Sequence, residues 1–263
     1  MVLLTEDFFQ DCNLSHKIYD ILESTQVIAR ESLDEMEFGK WYLYTALEQS
    51  KAFGSNDRLW ISEKGNLSTS LAFKIDAQDL KIINLLPLVT AFSLHKLFVE
   101  LTSIKTTIKW PNDILFNGKK LAGILVQAIG EGKNSNAISV IVGVGVNMRK
   151  QTSELILQET TSLEEISPKE LDINVNWLAV QFATKLINDI QILLTQGFLY
   201  FVDYINDNLE LFGRGKIQIT DNFDKVQVAN ALIEKISNDG ALIVTNNLNN
   251  QYNSIYSGRI RRL

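Results

Sequence analysis

The chain has 263 residues, of which 46% are hydrophobic and 21% charged, with only 3 prolines, so it is globular and long enough for one large domain or a large and a small one. Its net charge of −6 argues against a nucleic-acid-binding surface while leaving room for a local basic patch. Cys12 is the only cysteine and His16 and His95 are the only histidines, which excludes an internal disulfide and speaks against a Cys- or His-based metal site.

The opening Met-Val-Leu-Leu-Thr-Glu-Asp lacks the charged and apolar regions of a signal peptide. No apolar run approaches the ~20 residues of a membrane span. The expectation is a cytoplasmic protein with no membrane partner. Residues 17–33 carry Ile18, Ile21, Leu22, Ile28 and Ala29 in a helical pattern, with His16 near its start. Residues 41–47 are aromatic and β-prone and predict a strand that runs into a loop at Gln49. Residues 67–75 read as another strand. Leu85 to Leu101 reads as a long buried helix, with Pro87 in the first turn, where a missing N–H costs nothing, and His95 in a structural role.

Hairpin strands follow around residues 107–127, and Ala137 to Asn147, nearly all β-branched or Gly, predicts a central strand. Residues 175–195 and 198–211 read as two helices separated by Gly197. After Gly213 the texture changes to short alternating strands, Lys216 to Ile219, Val226 to Ile236 and Ala241 to Val244, with polar turns such as Asn238-Asp239-Gly240. That is the pattern of a small β-barrel and places a boundary near residue 212, dividing the chain into 1–212 and 213–263.

The richest segment is 108–126, Ile-Lys-Trp-Pro-Asn-Asp-Ile-Leu-Phe-Asn-Gly-Lys-Lys-Leu-Ala-Gly-Ile-Leu-Val. Asn117-Gly118 is a strong two-residue hairpin signal. Lys109 and Lys120 fall on two short strands joined by a turn, with Asn112 and Asp113 between them. Folding brings both cations and Asp113 toward one pocket mouth, suited to a polyphosphate beside a small polar ligand. The residues alone leave open a plain turn with solvated lysines. Likewise, Ser24-Thr25 suits a helix N-cap as well as a ligand, Trp60 and Trp110 suit a core as well as a pocket wall, and the Gly143–Gly145 pair suits a bulge.

Lys109-Trp110-Pro111-Asn112-Asp113, followed by Lys120-Leu121-Ala122-Gly123-Ile124-Leu125-Val126, closely resembles the signature of the biotin–protein ligases. Leu22-Glu23-Ser24-Thr25-Gln26 resembles that family's Asp-Ser-Thr-Asn segment, with Glu for Asp and Gln for Asn. Gly65-Asn66-Leu67 with Ser68 to Phe73 resembles its Gly-Asn-Leu strand, and Gly143-Val144-Gly145-Val146-Asn147 its Gly-Ile-Gly-Ile-Asn strand. Thr161-Ser162-Leu163, Gly240-Ala241-Leu242 and Ser257-Gly258 resemble later family segments. The order and spacing of these pieces around the central motif make the match specific.

The resemblance implies an α/β (α+β) mixed-sheet catalytic domain of the biotin/lipoate ligase type followed by an SH3-like β-barrel. It implies formation of biotinyl-5′-AMP from biotin and ATP, then transfer of biotin to a lysine of a biotin carboxyl carrier protein. Lys120 is implied as the principal catalytic lysine, with Lys109 a supporting cation and Asp113 orienting Lys120 or ligand groups. Ser24, Thr25, Gln49 and Lys120 are implied for biotin, and Gly54, Ser55, Arg58, Trp60, Asn112 and Asn147 for ATP or the adenylate. Mg²⁺ is expected on phosphate oxygens, with no protein metal site. The expected assembly is a monomer or homodimer. The ligase-like region begins near His16, leaving too few residues for an operator-binding winged helix. The competing readings are a biotin- or adenylate-binding protein with lost or weak catalysis and a lipoate- or octanoate-transferring relative.

The segment from Gln49 to Trp60 departs from the family, which carries Gly-Arg-Gly-Arg-Arg-Gly-Arg between a Gln and a Trp. Gln49, Gly54, Arg58 and Trp60 match; Ala52, Phe53, Ser55, Asn56 and Asp57 do not. Phe53 and Ser55 stand where the family usually has arginine, which implies looser retention of the adenylate unless Lys51, Arg58 or a backbone nest at Gly54 compensates. Arg259 stands where the family commonly has Glu.

Overall fold

The computed structural model describes residues 13–55, 58–130, 136–151, 158–167, 173–212, 215–221, 223–247 and 249–263. Cys12, Asn56, Asp57 and Gly213, each named above, lie outside the described residues.

Seven strands form one mixed sheet: β1 (Leu14–Leu22), β2 (Trp41–Gln49), β3 (Leu67–Asp76), β4 (Thr107–Lys109), β5 (Asp113–Phe116), β6 (Lys119–Gly130) and β7 (Ala137–Val146). Their spatial order is β1-β2-β3-β7-β6-β5-β4, parallel at β1–β2 and antiparallel elsewhere. The helices are α1 (Thr25–Glu31), α2 (Leu86–Thr102), α3 (Leu163–Ile166), α4 (Val175–Gln196) and α5 (Leu199–Asp207).

The alternation of side chains along a strand explains how the layers form. On β7, Val140, Val142, Val144 and Val146 enter the main apolar cluster with Leu94 and Phe98 of α2 and Phe182 and Leu186 of α4. Ile141 points the other way, into a smaller cluster with Ala29 of α1, Tyr44 and Ala72. Gly143 and Gly145 follow Ile141 on that second face. Helix α2 is buried almost all round, which its continuous apolar sequence allows and a one-sided stripe would not. Pro87 sits in its first turn as expected.

Two expectations near the N-terminus and the hairpin need correction. Residues 14–22 are strand β1, paired in register from Leu14↔Trp41 to Leu22↔Gln49; Thr25–Glu31 is α-helical and a 3-10 turn follows at Leu33–Glu35. His16 is therefore a strand residue. Ile18 and Ile21 suit either period; they are 49% and 66% exposed, so pairing with β2 rather than burial decides the conformation. The Lys109 and Lys120 strands are not adjacent arms of one hairpin, because β5 lies between them. Asn117 (φ 49°) and Gly118 (φ 78°) turn β5 into β6, as a type I′ turn demands. The Trp110–Pro111 peptide is cis.

The C-terminal strands β8 (Ile217–Thr220), β9 (Val226–Ile236), β10 (Leu242–Asn246), β11 (Gln251–Ile255) and β12 (Arg259–Arg262) form a second, antiparallel sheet in the order β11-β10-β9-β8-β12. It does not close, since β11 and β12 are its two edges. Strands β11 and β12 are too polar, as Gln-Tyr-Asn-Ser-Ile and Arg-Ile-Arg-Arg, to announce themselves in the sequence. Ile217, Ile219, Val244 and Ile260 share the main apolar cluster with α2 and β7. Trp110 Nε1 donates to the Gly240 carbonyl at 3.3 Å, and Asn206 of α5 brackets the Ile236 backbone, donating to its carbonyl at 3.0 Å and accepting its N–H at 2.6 Å. Trp110 thus fills the seam between the sheets. No helix among the described residues is long and apolar enough to cross a membrane.

Candidate active site

A pocket opens on the second face of the large sheet. It is lined by Ser24, Thr25 and Gln26 at the start of α1, Gln49 at the end of β2, Ala52 to Ser55 and Trp60 of the following loop, Asn112, Lys120 and Gly123 to Leu125 of β6, and Gly143 to Gly145 of β7. The glycines make room for it. A Cβ on Gly145 would lie 2.3 Å from the Trp60 ring, one on Gly123 3.0 Å from both Trp60 and Lys120 Cε, and one on Gly143 2.9 Å from Gln26 Cδ. Trp60 therefore packs directly on strand backbone and walls the pocket.

At the polar end, Ser24 is the N-cap residue of α1 but makes no side-chain cap bond. Thr25 Oγ1 accepts a hydrogen bond from Ser70 Oγ at 2.8 Å, and the Thr25 N–H donates to Gln49 Oε1 at 2.6 Å. Strand β3 and the end of β2 thus orient both groups. Gln26 is 4% exposed, and its Nε2 donates to the Leu125 carbonyl at 3.3 Å while its Oε1 has no protein partner. A buried acceptor without a donor is costly, and one facing a pocket suits a ligand N–H. In the sequence Gln26 stands only as a replacement in the Ser-Thr motif and is assigned no role; its place directly after Thr25 is the one signal for it.

At the charged end, Asp113 is shared. Its Oδ1 lies 2.8 Å from Lys120 Nζ and its Oδ2 3.8 Å from Lys109 Nζ. Cross-strand register brings them together: Lys109 pairs with Asp113, Asp113 with Gly123, and a bulge at Ile114/Leu115 sets Lys120 opposite Leu115. Lys120 Nζ also stands 5.3 Å from the Trp60 ring centroid, a cation–π distance. Burial lowers the Lys109 pKa below its usual 10.5; Asp113 opposes the shift, and the nearby Lys120 and Arg58 deepen it. Two cations on one carboxylate leave net positive charge at the pocket mouth.

Asn112 Nδ2 donates to the Ile124 carbonyl at 2.7 Å, and the Ile124 N–H returns a bond to the Asn112 carbonyl at 2.9 Å. Asn147 lies outside the lining. Its Nδ2 donates to the Lys120 and Thr161 carbonyls at 3.2 and 3.1 Å, and its Oδ1 accepts from Gln151 Nε2 at 2.7 Å. With its amide engaged in this way, Asn147 braces the backbone that carries Lys120. In the loop, Phe53 bridges Leu59, and the Gly54 N–H donates to the Arg58 carbonyl at 2.8 Å. The Gly54 amide is therefore not a free nest donor. Lys51 pairs with Glu23 at 2.5 Å on the surface, away from the lining. Arg58 is exposed and also outside the lining.

A profile of the Biotin/lipoate A/B protein ligase family matches residues 19–147. Over those residues, just under half of the chain, the protein is similar to that family. It is 35% identical over 162 residues to the bifunctional ligase/repressor BirA of Bacillus subtilis (strain 168), an alignment covering 60% of this chain and 49% of that one. It is 32% identical over 131 residues to the biotin–[acetyl-CoA-carboxylase] ligase of Paracoccus denitrificans, covering 48% and 51% respectively. The chain thus spans about half the length of these relatives. Its fold is that of the biotin protein ligase from Aquifex aeolicus solved in complex with biotin and ATP, with a TM-score of 0.77, 22% identity and coverage of 95% of this chain and 99% of that one. The family match spans β2 to β7, the strands that carry most of the pocket. Among the described residues no group of three or more His, Cys, Asp or Glu side chains is placed to hold a metal ion.

Proposed function

We propose that the protein is an ATP-dependent biotin–protein ligase. The observation that carries this reading is the pairing, in one pocket of a chain similar to this family, of a hydroxyl–amide end (Ser24, Thr25, Gln26, Gln49) with a lysine end (Lys120 on Asp113). The ureido group of biotin both donates and accepts hydrogen bonds, which the first end can answer. Its carboxylate reaches toward Lys120.

In the first step a carboxylate oxygen of biotin attacks the α-phosphorus of ATP, pyrophosphate leaves, and biotinyl-5′-AMP forms. In the second a lysine amine of a biotin carboxyl carrier protein attacks the anhydride carbonyl, and AMP leaves. Neither step needs an enzyme nucleophile; the chain contributes positioning and charge. Lys120 draws the two anionic reactants together. Asp113 holds Lys120 in place, and Lys109 adds charge from behind. Trp60 covers the reacting centre and, with Gly54, Ser55 and Asn112, borders the adenylate, while Arg58 stands outside that lining. Asn147 acts through the Lys120 backbone. Asp113 has an oxygen turned to each lysine, and Mg²⁺ would be held chiefly by the phosphate oxygens, where it would offset their charge. In this reading residues 1–212 form the catalytic unit and residues 213–263 an SH3-like module. Pyrophosphate release that requires biotin, ATP and Mg²⁺ together, and is absent with lipoate, tests the proposal. Release with lipoate but not biotin overturns it.

A further inference from the structure

We propose that Gln151 is a positioning residue for adenylate formation: through Asn147 it holds the backbone of Lys120 and the backbone beside Trp60 in fixed relation. This deepens the ligase reading and rests on it.

Lys120 and Trp60 meet inside the pocket. A Cβ on Gly123 would lie 3.0 Å from each, and Lys120 Nζ stands 5.3 Å from the Trp60 ring centroid. That contact does not fix position, because the ammonium rides on a flexible four-carbon stem and a cation can slide over a ring. Position has to come from the backbones behind the two side chains. On the Lys120 side, its N–H donates to the Glu159 carbonyl and its carbonyl accepts from the Thr161 N–H, both at 2.9 Å, so residues 159–161 run beside it as a short parallel partner.

Consecutive side-chain amides join that backbone to the Trp60 loop. Asn147 Nδ2 donates to the Lys120 and Thr161 carbonyls at 3.2 and 3.1 Å, which settles the end of its amide that carries the oxygen. That oxygen accepts from Gln151 Nε2 at 2.7 Å. The same Nε2 donates to the carbonyl of Ile61, the residue after Trp60, at 3.3 Å and across 90 positions of the chain. Gln151 therefore meets two acceptors, and its role is that of a double donor. Gln151, Asn147 and Ile61 all lie outside the pocket lining, so they act through the two residues that face it. A displacement of roughly 1 Å between Lys120 and its wall is enough to cost on the order of 10²-fold in rate.

The test measures pyrophosphate release by the full chain with biotin, ATP and Mg²⁺, alongside calorimetric biotin affinity and the urea midpoint. Gln151→Ala should lower kcat about tenfold while biotin affinity and midpoint change little. Gln151→Glu has the same shape without the donors and sets a carboxylate against two acceptor oxygens, so it should fall at least as far. Gln151→Lys, whose ammonium can donate to both oxygens, should recover most of kcat. Arg149→Ala breaks the neighbouring exposed pair with Glu164 and should keep the wild-type kcat. Wild-type kcat in the Ala and Glu variants, no recovery in the Lys variant, an equal loss in Arg149→Ala, or a loss matched by weaker biotin binding and a lower midpoint overturns the inference alone. A wild-type chain without biotin-dependent release overturns the ligase reading itself.

Discussion

The two faces of the same central strands are built on opposite rules. On one, β3 and β7 present Leu67, Leu71, Phe73 and four valines to α2 and α4. On the other, the same strands present Ser68, Ser70, Gly143 and Gly145, and the space above them is shared by α1, Trp60 and Lys120. The first face stores stability through buried apolar area. The second gives up that area to leave hydroxyls, bare backbone and charge around a cavity. One face of the sheet therefore carries the buried apolar area and the other the pocket of the proposed ligase, and substitutions should separate the two.

The largest effects should fall on opposite readouts. Leu71→Ala, at a fully buried position, should cost about 2–5 kcal/mol in urea unfolding while the folded fraction keeps its biotin affinity. Lys120→Ala should lower adenylate formation by ~10²-fold or more while shifting the unfolding midpoint little. Wild-type pyrophosphate release by the Lys120 variant would remove that residue from the chemistry. Next is Gly145→Ala. The added methyl meets the rigid Trp60 ring at 2.3 Å, so the ring must leave. Tryptophan emission should shift and ligand binding weaken, both more than in Gly143→Ala, whose neighbour is the flexible end of Gln26.

A smaller effect should appear in the pH profile. Because burial depresses the Lys109 pKa, Lys109 loses its proton before an ordinary lysine as pH rises. Its buried charge weighs against the fold below that folded pKa and is relieved as pH climbs toward the unfolded value near 10.5. Activity runs the other way, since the lost charge no longer supports Lys120. Pyrophosphate release should therefore fall on the alkaline side, and Lys109→Arg should move that fall to higher pH; an unmoved limb would assign it to another group. The smallest effect belongs to the stable face. Asp189 of α4 accepts from Ser93 Oγ of α2 at 2.6 Å, and burial raises its pKa. A carboxyl with a raised folded pKa binds its proton more tightly when folded, so stability is lost as pH rises through that window. Asp189→Asn should be the more stable form at pH 7, with the gap closing in acid, as urea midpoints at the two pH values will show.

Much of this molecule is legible in its residue order. The valine–glycine alternation of β7, the apolar run of α2 and the Asn117-Gly118 turn each state a local conformation that their own side chains favour. The Lys109–Asp113 and Lys120–Val126 segments bring Lys109, Asp113 and Lys120 together because register across three consecutive short strands is a local matter. What the sequence could not decide lies in pairings between distant segments. Residues 14–22 carry a pattern that fits helix or strand, and only the presence of β2 alongside makes them β1. The polar strands β11 and β12 exist because neighbours supply their hydrogen bonds, not because their side chains seek burial. Gln26 becomes a pocket acceptor only when Leu125, 99 residues on, claims its other end. Asn147 is drawn to the Lys120 and Thr161 carbonyls for the same reason. Local preference is set by each residue and its near neighbours, whereas hydrogen-bond partners and field neighbours are set by the folded backbone, which brings together groups that no spacing along the chain connects.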